Sequence, residues 1–107
     1  MSTLNVARDF SPFPAGRLVS DGSFPGERFR DLLVSALQKL GPTEQLKVQF
    51  DETLGYGLSF LEEAFGGLVR KCGFSAKKLH EKLIIETSDP STITEVWSYI
   101  DTARAGE

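Results

Sequence analysis

Gln45-Leu46-Lys47-Val48-Gln49-Phe50-Asp51 alternates apolar and polar residues without a break. That period puts Leu46, Val48 and Phe50 on one side of a strand and Lys47 and Gln49 on the other. A strand held between two helical layers is apolar on both faces. The alternation therefore predicts a sheet with helices on one side and a wetter second side. Phe29, Leu32, Leu33, Ala36, Leu37 and Leu40 repeat with the helical period instead, and leave Arg28, Arg30, Asp31, Gln38 and Lys39 outside the stripe. That helix opens at Phe24-Pro25-Gly26-Glu27, with proline in the first turn where its missing amide would have no partner, and it ends at Gly41-Pro42. Ile93, Val96, Trp97 and Ile100 mark a last helix, with Asp89 as N-cap, Pro90 as its first residue and Trp97 as a core anchor.

The stretch from Leu54 to Leu68 reads as a glycine-rich turn that opens a helix. Ser59-x-x-Glu62 has the form of a capping box, in which the serine oxygen accepts from a helix amide and the glutamate reaches back to the serine amide. Leu61, Ala64, Phe65, Leu68 and Cys72 follow on one face, which makes Cys72 a buried thiol. Arg70 and Lys71 suit the negative end of the helix, and Gly73 suits a left-handed stop. Gly66 and Gly67 each cost roughly 1 kcal/mol against alanine in a helix interior. Their presence predicts close approach of another backbone, from a neighbouring element or from a partner chain, a homodimer included.

Leu4 to Arg8 alternates as a first short strand. The proline-bearing loop Asp9 to Gly16 follows, Arg17-Leu18-Val19 suits a second strand, and Asp21-Gly22 a turn. Phe74 to Lys82 reads as a polar connection whose His80 is solvated, and Leu83 to Thr87 as a β-branched strand. The order β-β-α-β-α-β-α predicts an α/β fold: a small mixed sheet of about four strands, with three helices mainly on one face. Its expected core is Phe29, Leu33, Leu37, Val48, Phe50, Leu61, Phe65, Leu68, Ile84, Val96 and Trp97.

The 107 residues suit a single domain, residues 1–107, with an ordinary 40% hydrophobic and 25% charged content. Fifteen acids against twelve bases give a net charge of −3, which offers no footprint for nucleic acid. No apolar run is long enough to span a bilayer and the first residues lack the layout of a signal peptide, so the expected setting is cytoplasmic. One cysteine and one histidine exclude an internal disulfide and a Cys/His metal site, and no cofactor is expected.

Ser23-Phe24-Pro25-Gly26-Glu27 before Phe29-Arg30, together with Ser59-Phe60-Leu61-Glu62-Glu63-Ala64-Phe65-Gly66-Gly67-Leu68, resembles the STAS-like family of unknown function found in bacteria. Asp9-Phe10-Ser11 and the segment Arg17 to Gly22 agree, and the resemblance covers about Asn5 to Ile100. It implies kinship with the STAS superfamily of anti-sigma-factor antagonists. There, a strand ending in aspartate leads to an Asp-Ser-Ser-Gly turn at a helix start, and a histidine-kinase-like ATPase phosphorylates the serine. Asp51 matches the strand-end aspartate and Ser59 the second serine. Leu58 stands in place of the first serine, Gly57 of the turn aspartate and Phe60 of the glycine.

The resemblance implies a non-enzymatic regulatory module that binds a partner protein through the Gly55–Glu63 turn and helix start, with Asp51, Gly55, Tyr56, Gly57, Leu58, Ser59, Glu62 and Glu63 as its surface. Ser59 is the candidate phosphorylation site, at the positive end of a helix where a phosphate is favoured. An anion- or nucleotide-sensing domain using Gly55-Tyr56-Gly57, an accessory protein in phage conflict, and a small enzyme are the other readings. The last lacks a recognisable nucleophile, base or metal set.

Overall fold

The computed structural model describes residues 2–16, 20, 22, 25–53 and 56–106. Three strands, β1 (Ser2–Asn5), β2 (Leu46–Gln49) and β3 (Leu83–Glu86), form a sheet in that order, parallel throughout, with β2 central. The expected strand at 17–19 lies outside the described residues, so the described sheet has three strands and is not mixed. Leu4, Val48 and Ile85 stand in register across it. Parallel neighbours require long crossovers. α1 (Val6–Asp9) and α2 (Gly26–Gln38) supply the first. α3 (Leu58–Leu61), a π-helical turn (Glu62–Gly66), α4 (Gly67–Arg70) and α5 (Ala76–Lys82) supply the second, and α6 (Pro90–Thr102) closes the chain.

One face of the sheet is dry. Leu4, Leu46, Val48, Leu83 and Ile85 are buried there, while Thr3 is exposed and Lys47, Gln49, Ile84 and Glu86 are half-buried on the other face. On that wetter face Glu86 accepts from Gln49 Nε2 at 2.5 Å and pairs with Lys47 Nζ at 3.1 Å. The expected one-sided helical cover is what the alternation in β2 dictates. Ile84, placed in the core from sequence, lies on the wetter face. The run Leu83-Ile84-Ile85 is apolar in either register, and pairing of Leu83 with Leu46 puts Ile85 inside.

The first strand lies earlier than its alternation suggested, at Ser2–Asn5 and not Leu4 to Arg8. Asn5 Oδ1 accepts from the Arg8 amide at 3.0 Å, and Asp9 Oδ2 accepts from the Asn5 amide at 2.8 Å. These short polar side chains hold Val6–Asp9 in a helical turn in competition with the strand ladder. The polar connection before β3 is also helical. Ser75 caps α5 by accepting from the Lys78 amide at 3.1 Å, and α5 runs into β3 with no intervening loop. Only Leu79 of α5 is buried, too little for an apolar stripe.

The segment from α3 to α4 is the centre of the molecule. Every residue from Phe60 to Val69 except Glu62 is buried, so the helix is enclosed all round and not on one face. Phe29 of α2 meets Phe60 and Phe65 at ring separations of 5.5 and 6.1 Å, and Phe50 at the end of β2 meets Phe65 at 6.1 Å. Gly73 takes φ +79° after α4, the left-handed stop expected of it. Cys72, expected inside, is exposed, because the enclosed part of the helix ends at Val69.

The two helix glycines admit side chains and not another backbone. A methyl group on Gly67 would lie 2.8 Å from Arg30 Nη1, and one on Gly66 would lie 2.7 Å from Glu62 Oε2. The backbone approach falls at Gly26 instead, where a methyl group would lie 2.5 Å from the Phe60 carbonyl oxygen. Arg30, which the stripe left outside, is buried against Glu63. Trp97 is half-buried and stacks on His80, with ring centroids 4.2 Å apart, while His80 Nε2 lies 2.7 Å from Asp101 Oδ1. His80 thus ties α5 to α6 rather than standing free in solvent.

Phe65 touches both Phe29 and Phe50 and is fully buried. Phe65→Ala is expected to lower stability by about 3–5 kcal/mol in urea melts, with the slope unchanged.

Candidate functional site

In an open parallel sheet, ligands meet the chain beyond the carboxyl ends of the strands. Here those ends lead into loops rich in short polar residues. β2 continues into Phe50, Asp51, Glu52 and Thr53, and β3 into Thr87, Ser88 and Asp89. The Phe50 amide donates to the Glu86 carbonyl at 3.0 Å and carries the ladder one step further. Asp51 then reaches across, its Oδ1 accepting from the Ser88 amide at 2.6 Å. Thr53 Oγ1 folds back on the Phe50 carbonyl at 2.7 Å. Beyond the loop, Tyr56 packs on Phe50, with centroids 5.2 Å apart, and its hydroxyl bonds Thr92 Oγ1 of α6.

These contacts enclose a cleft of about 430 Å³ between the two loops and the start of α6. Leu58 forms one lip at 56% exposure, and Asp51, Asp89 and Glu95 supply three carboxylates to its lining, with no lysine or arginine among the lining residues. The Ser88 amide holds the Asp51 carboxyl below its ordinary pKa. The Ser91 hydroxyl and then the Ser91 amide do the same for Asp89, the N-cap of α6. Arg8 is held by a bidentate pair with Glu52 of the loop after β2, at 2.9 and 2.7 Å. An anionic ligand would meet carboxylates here and no base.

The residues singled out from sequence divide into two groups. Asp51, Tyr56 and Leu58 line the cleft, with Gly57 exposed beside them and Ser59 half-buried on the next residue; Gly55 lies outside the described residues. Glu62 and Glu63 belong elsewhere. Glu62 pairs with Arg70, Nη2 to Oε1 at 3.2 Å, and Glu63 is buried with Arg30 and with Lys71 Nζ at 3.1 Å. Burial would raise the Glu63 carboxyl, but the hydrogen bonds from Lys71 and Arg30 outweigh it and leave its pKa lowered.

The capping box does not form. Gly57 is the N-cap, in extended conformation, and no side chain caps this helix start. Ser59 is the second helical residue, too late in the turn for its oxygen to reach the amides that a cap satisfies. The far wall of the cleft (Ser88, Asp89, Thr92 and Glu95) went unnoticed in the sequence. Asp89-Pro90 signalled a helix start there, but nothing local places that start opposite Tyr56.

A larger cavity of about 650 Å³ lies at the amino-terminal ends of the strands, between the end of α2 and α5. Its floor is Leu37, Leu40, Phe74 and Leu79, and its Lys82 ammonium is already held by the Pro42 carbonyl at 2.8 Å. It is a gap between docked helices, with Lys78 and Glu81 of α5 also in its lining. Among the described residues, no group of three or more His, Cys, Asp or Glu is placed to hold a metal ion. No helix among them is long and apolar enough to cross a membrane.

A family model described as the STAS-like domain of unknown function (DUF4325) matches residues 25–92, well over half of the chain. The chain belongs to that family. No curated protein and no solved structure matches it. In this STAS-like domain the matched stretch runs from Pro25, the N-cap of α2, to Thr92, which meets the Tyr56 hydroxyl, so it contains the residues that line the cleft except Glu95.

Two outcomes are expected. Ser59→Ala should change stability by less than about 0.5 kcal/mol in denaturant melts, since no cap is lost. Asp51 has its pKa lowered in the fold, so its contribution is present above the ordinary carboxylate range and is lost as pH falls through the depressed value. Thermal melts between about pH 3 and 6 should therefore show a smaller acid-induced loss in Asp51→Asn than in wild type.

Proposed function

We propose that this STAS-like domain is a non-enzymatic interaction module that engages a partner protein through the lip formed by Tyr56, Gly57, Leu58 and Ser59, with Asp51 behind it. The observation that carries this reading is Leu58. Among the described residues it is one of two large hydrophobic side chains left exposed, with Phe13, and it stands beside a cleft at the carboxyl ends of the strands. Contiguous apolar surface rimmed by polar groups marks interaction sites, and Leu58 with the neighbouring Tyr56 supplies the apolar part of this rim.

The partner in this reading is a histidine-kinase-like ATPase, the class that the wider superfamily uses, and the setting is cytoplasmic. Phosphorylation of Ser59 regulates the contact. The residue is half-buried next to Leu58, and a phosphate there adds charge and bulk at the apolar lip and disrupts a partner that packs on the unmodified surface. The absence of enzymatic activity belongs to the same reading: His80 is engaged with Asp101 and Trp97, and Ser59 has no histidine beside it among the described residues.

The test is capture of a candidate histidine-kinase-like ATPase by wild type, Leu58→Asp and Ser59→Glu. Leu58→Asp is expected to weaken binding by about thirtyfold, as an anchor residue does, with melting changed by less than about 0.5 kcal/mol. Ser59→Glu should weaken it as well, and mass spectrometry after incubation with the ATPase and ATP should find phosphate on Ser59. Binding unchanged in both variants would remove the reading.

A further inference from the structure

The carboxylates of the cleft are not equivalent. Asp51 is occupied by the Ser88 amide at 2.6 Å, and Asp89 by the Ser91 amide and hydroxyl at 3.0 and 2.7 Å. Glu95, on α6, lines the same cleft, is half-buried, and has neither a hydrogen bond nor an ion pair among the described residues. A half-buried carboxylate is poorly solvated and gains from a cation brought to it. Arg8, which reaches the loop after β2, is already tied to Glu52. Leu58, across the cleft from α6, adds an apolar lip.

We infer that the cleft receives an arginine or lysine side chain of the partner protein, its charge against Glu95 and an adjacent apolar residue of the same segment covering Leu58. Charge complementarity sets the class of the occupant, since three carboxylates and no base line the cleft. The size agrees: about 430 Å³ admits one long side chain and the backbone that carries it, not a globular surface. The apolar lip separates a protein segment from a bare cation, which would gain nothing from Leu58. The same arrangement gives Ser59 its effect, because added negative charge at that lip competes with Glu95 for the incoming base.

This assignment rests on the lip being the partner surface, and the two can fail separately. If the ATPase capture described above is lost in Leu58→Asp but kept in Glu95→Lys, the surface stands and the basic side chain is wrong. If neither variant alters capture, both fall.

A second measurement needs no partner. The full chain, labelled with ¹⁵N, is titrated with N-acetyl-leucyl-arginine amide, and with its citrulline counterpart and calcium chloride as controls. The arginine peptide should shift the Ser88, Ser91 and Glu95 amides with an affinity in the millimolar range, and citrulline or Glu95→Gln should weaken it about two- to fivefold. Leu58→Ser should weaken the arginine and citrulline peptides alike. Equal binding of arginine and citrulline peptides, no response of these amides to either, or a calcium response that matches the arginine peptide would overturn the assignment, the last by showing a simple cation site.

Discussion

The buried ion pair between Arg30 and Glu63 is the contact on which the rest of the packing depends. Both side chains are almost wholly enclosed, so the Arg30 charge is tolerable there only beside a carboxylate, and Glu63 supplies it while also holding Lys71 Nζ at 3.1 Å. The guanidinium lies directly over Gly67 and 3.4 Å from the Glu63 carbonyl oxygen, inside the turn where the helix widens to the π form. A wider turn changes which residues face the neighbours, and it comes here at the crossing of α2. With Arg30 held there, Phe29 beside it is seated on Phe60 and Phe65, and Gly26 lets the start of α2 touch the backbone of α3. Removing Glu63 would take from the buried Arg30 guanidinium the carboxylate it pairs with, a larger loss than most single apolar truncations impose, whereas removing Arg30 would still leave Glu63 paired with Lys71.

That core positions the site indirectly. Phe65 and Tyr56 both pack on Phe50, the residue at which β2 leaves the sheet. The central helix and the cleft are therefore coupled through one aromatic side chain. Because the strands are parallel, both crossovers return to the amino-terminal ends, and the loops after β2 and β3 emerge together at the opposite end. Asp51 and Ser88 join those loops, and the Tyr56–Thr92 contact joins the helix start to α6.

The acids of this chain serve two purposes that their charge alone does not distinguish. Glu62 and Glu63 bind arginine and lysine from the same chain and hold α2 and α4 together. Asp51 and Asp89 order the loops of the cleft through backbone amides, and Glu95 faces the cleft without a partner among the described residues. Glu62 and Glu63 are half-buried or buried against cations, whereas Asp51 and Asp89 are exposed and Glu95 is half-buried on the wall of the cleft. Glu62 and Glu63 are already neutralised within the chain.

Much of the fold was legible along the chain. The alternation in β2, the stripe of α2, the Asp89-Pro90 start of α6 and the left-handed Gly73 are local patterns, set by side-chain period and backbone freedom within a few residues. Asp51, Tyr56 and Leu58, which line the cleft, were legible as a group because they lie between the end of a strand and the start of a helix. The remainder is non-local. Whether Ile84 or Ile85 faces inward depends on which β2 residue each meets, and the run is apolar both ways. Arg30 is polar in any sequence pattern, and only the Gly67 groove and the Glu63 carboxylate make a buried place for it. Ser59 and Glu62 have capping-box spacing, yet Gly57 takes the N-cap position and Glu62 pairs with Arg70 two turns on. Ser88 and Glu95 lie far along the chain from Leu58, and only the parallel return of β3 beside β2 brings them to one cleft. Spacing along the chain determines an element's type and inner face; the partner across the contact decides register, burial of charge and the walls of the site, because those energies arise between elements and not within them.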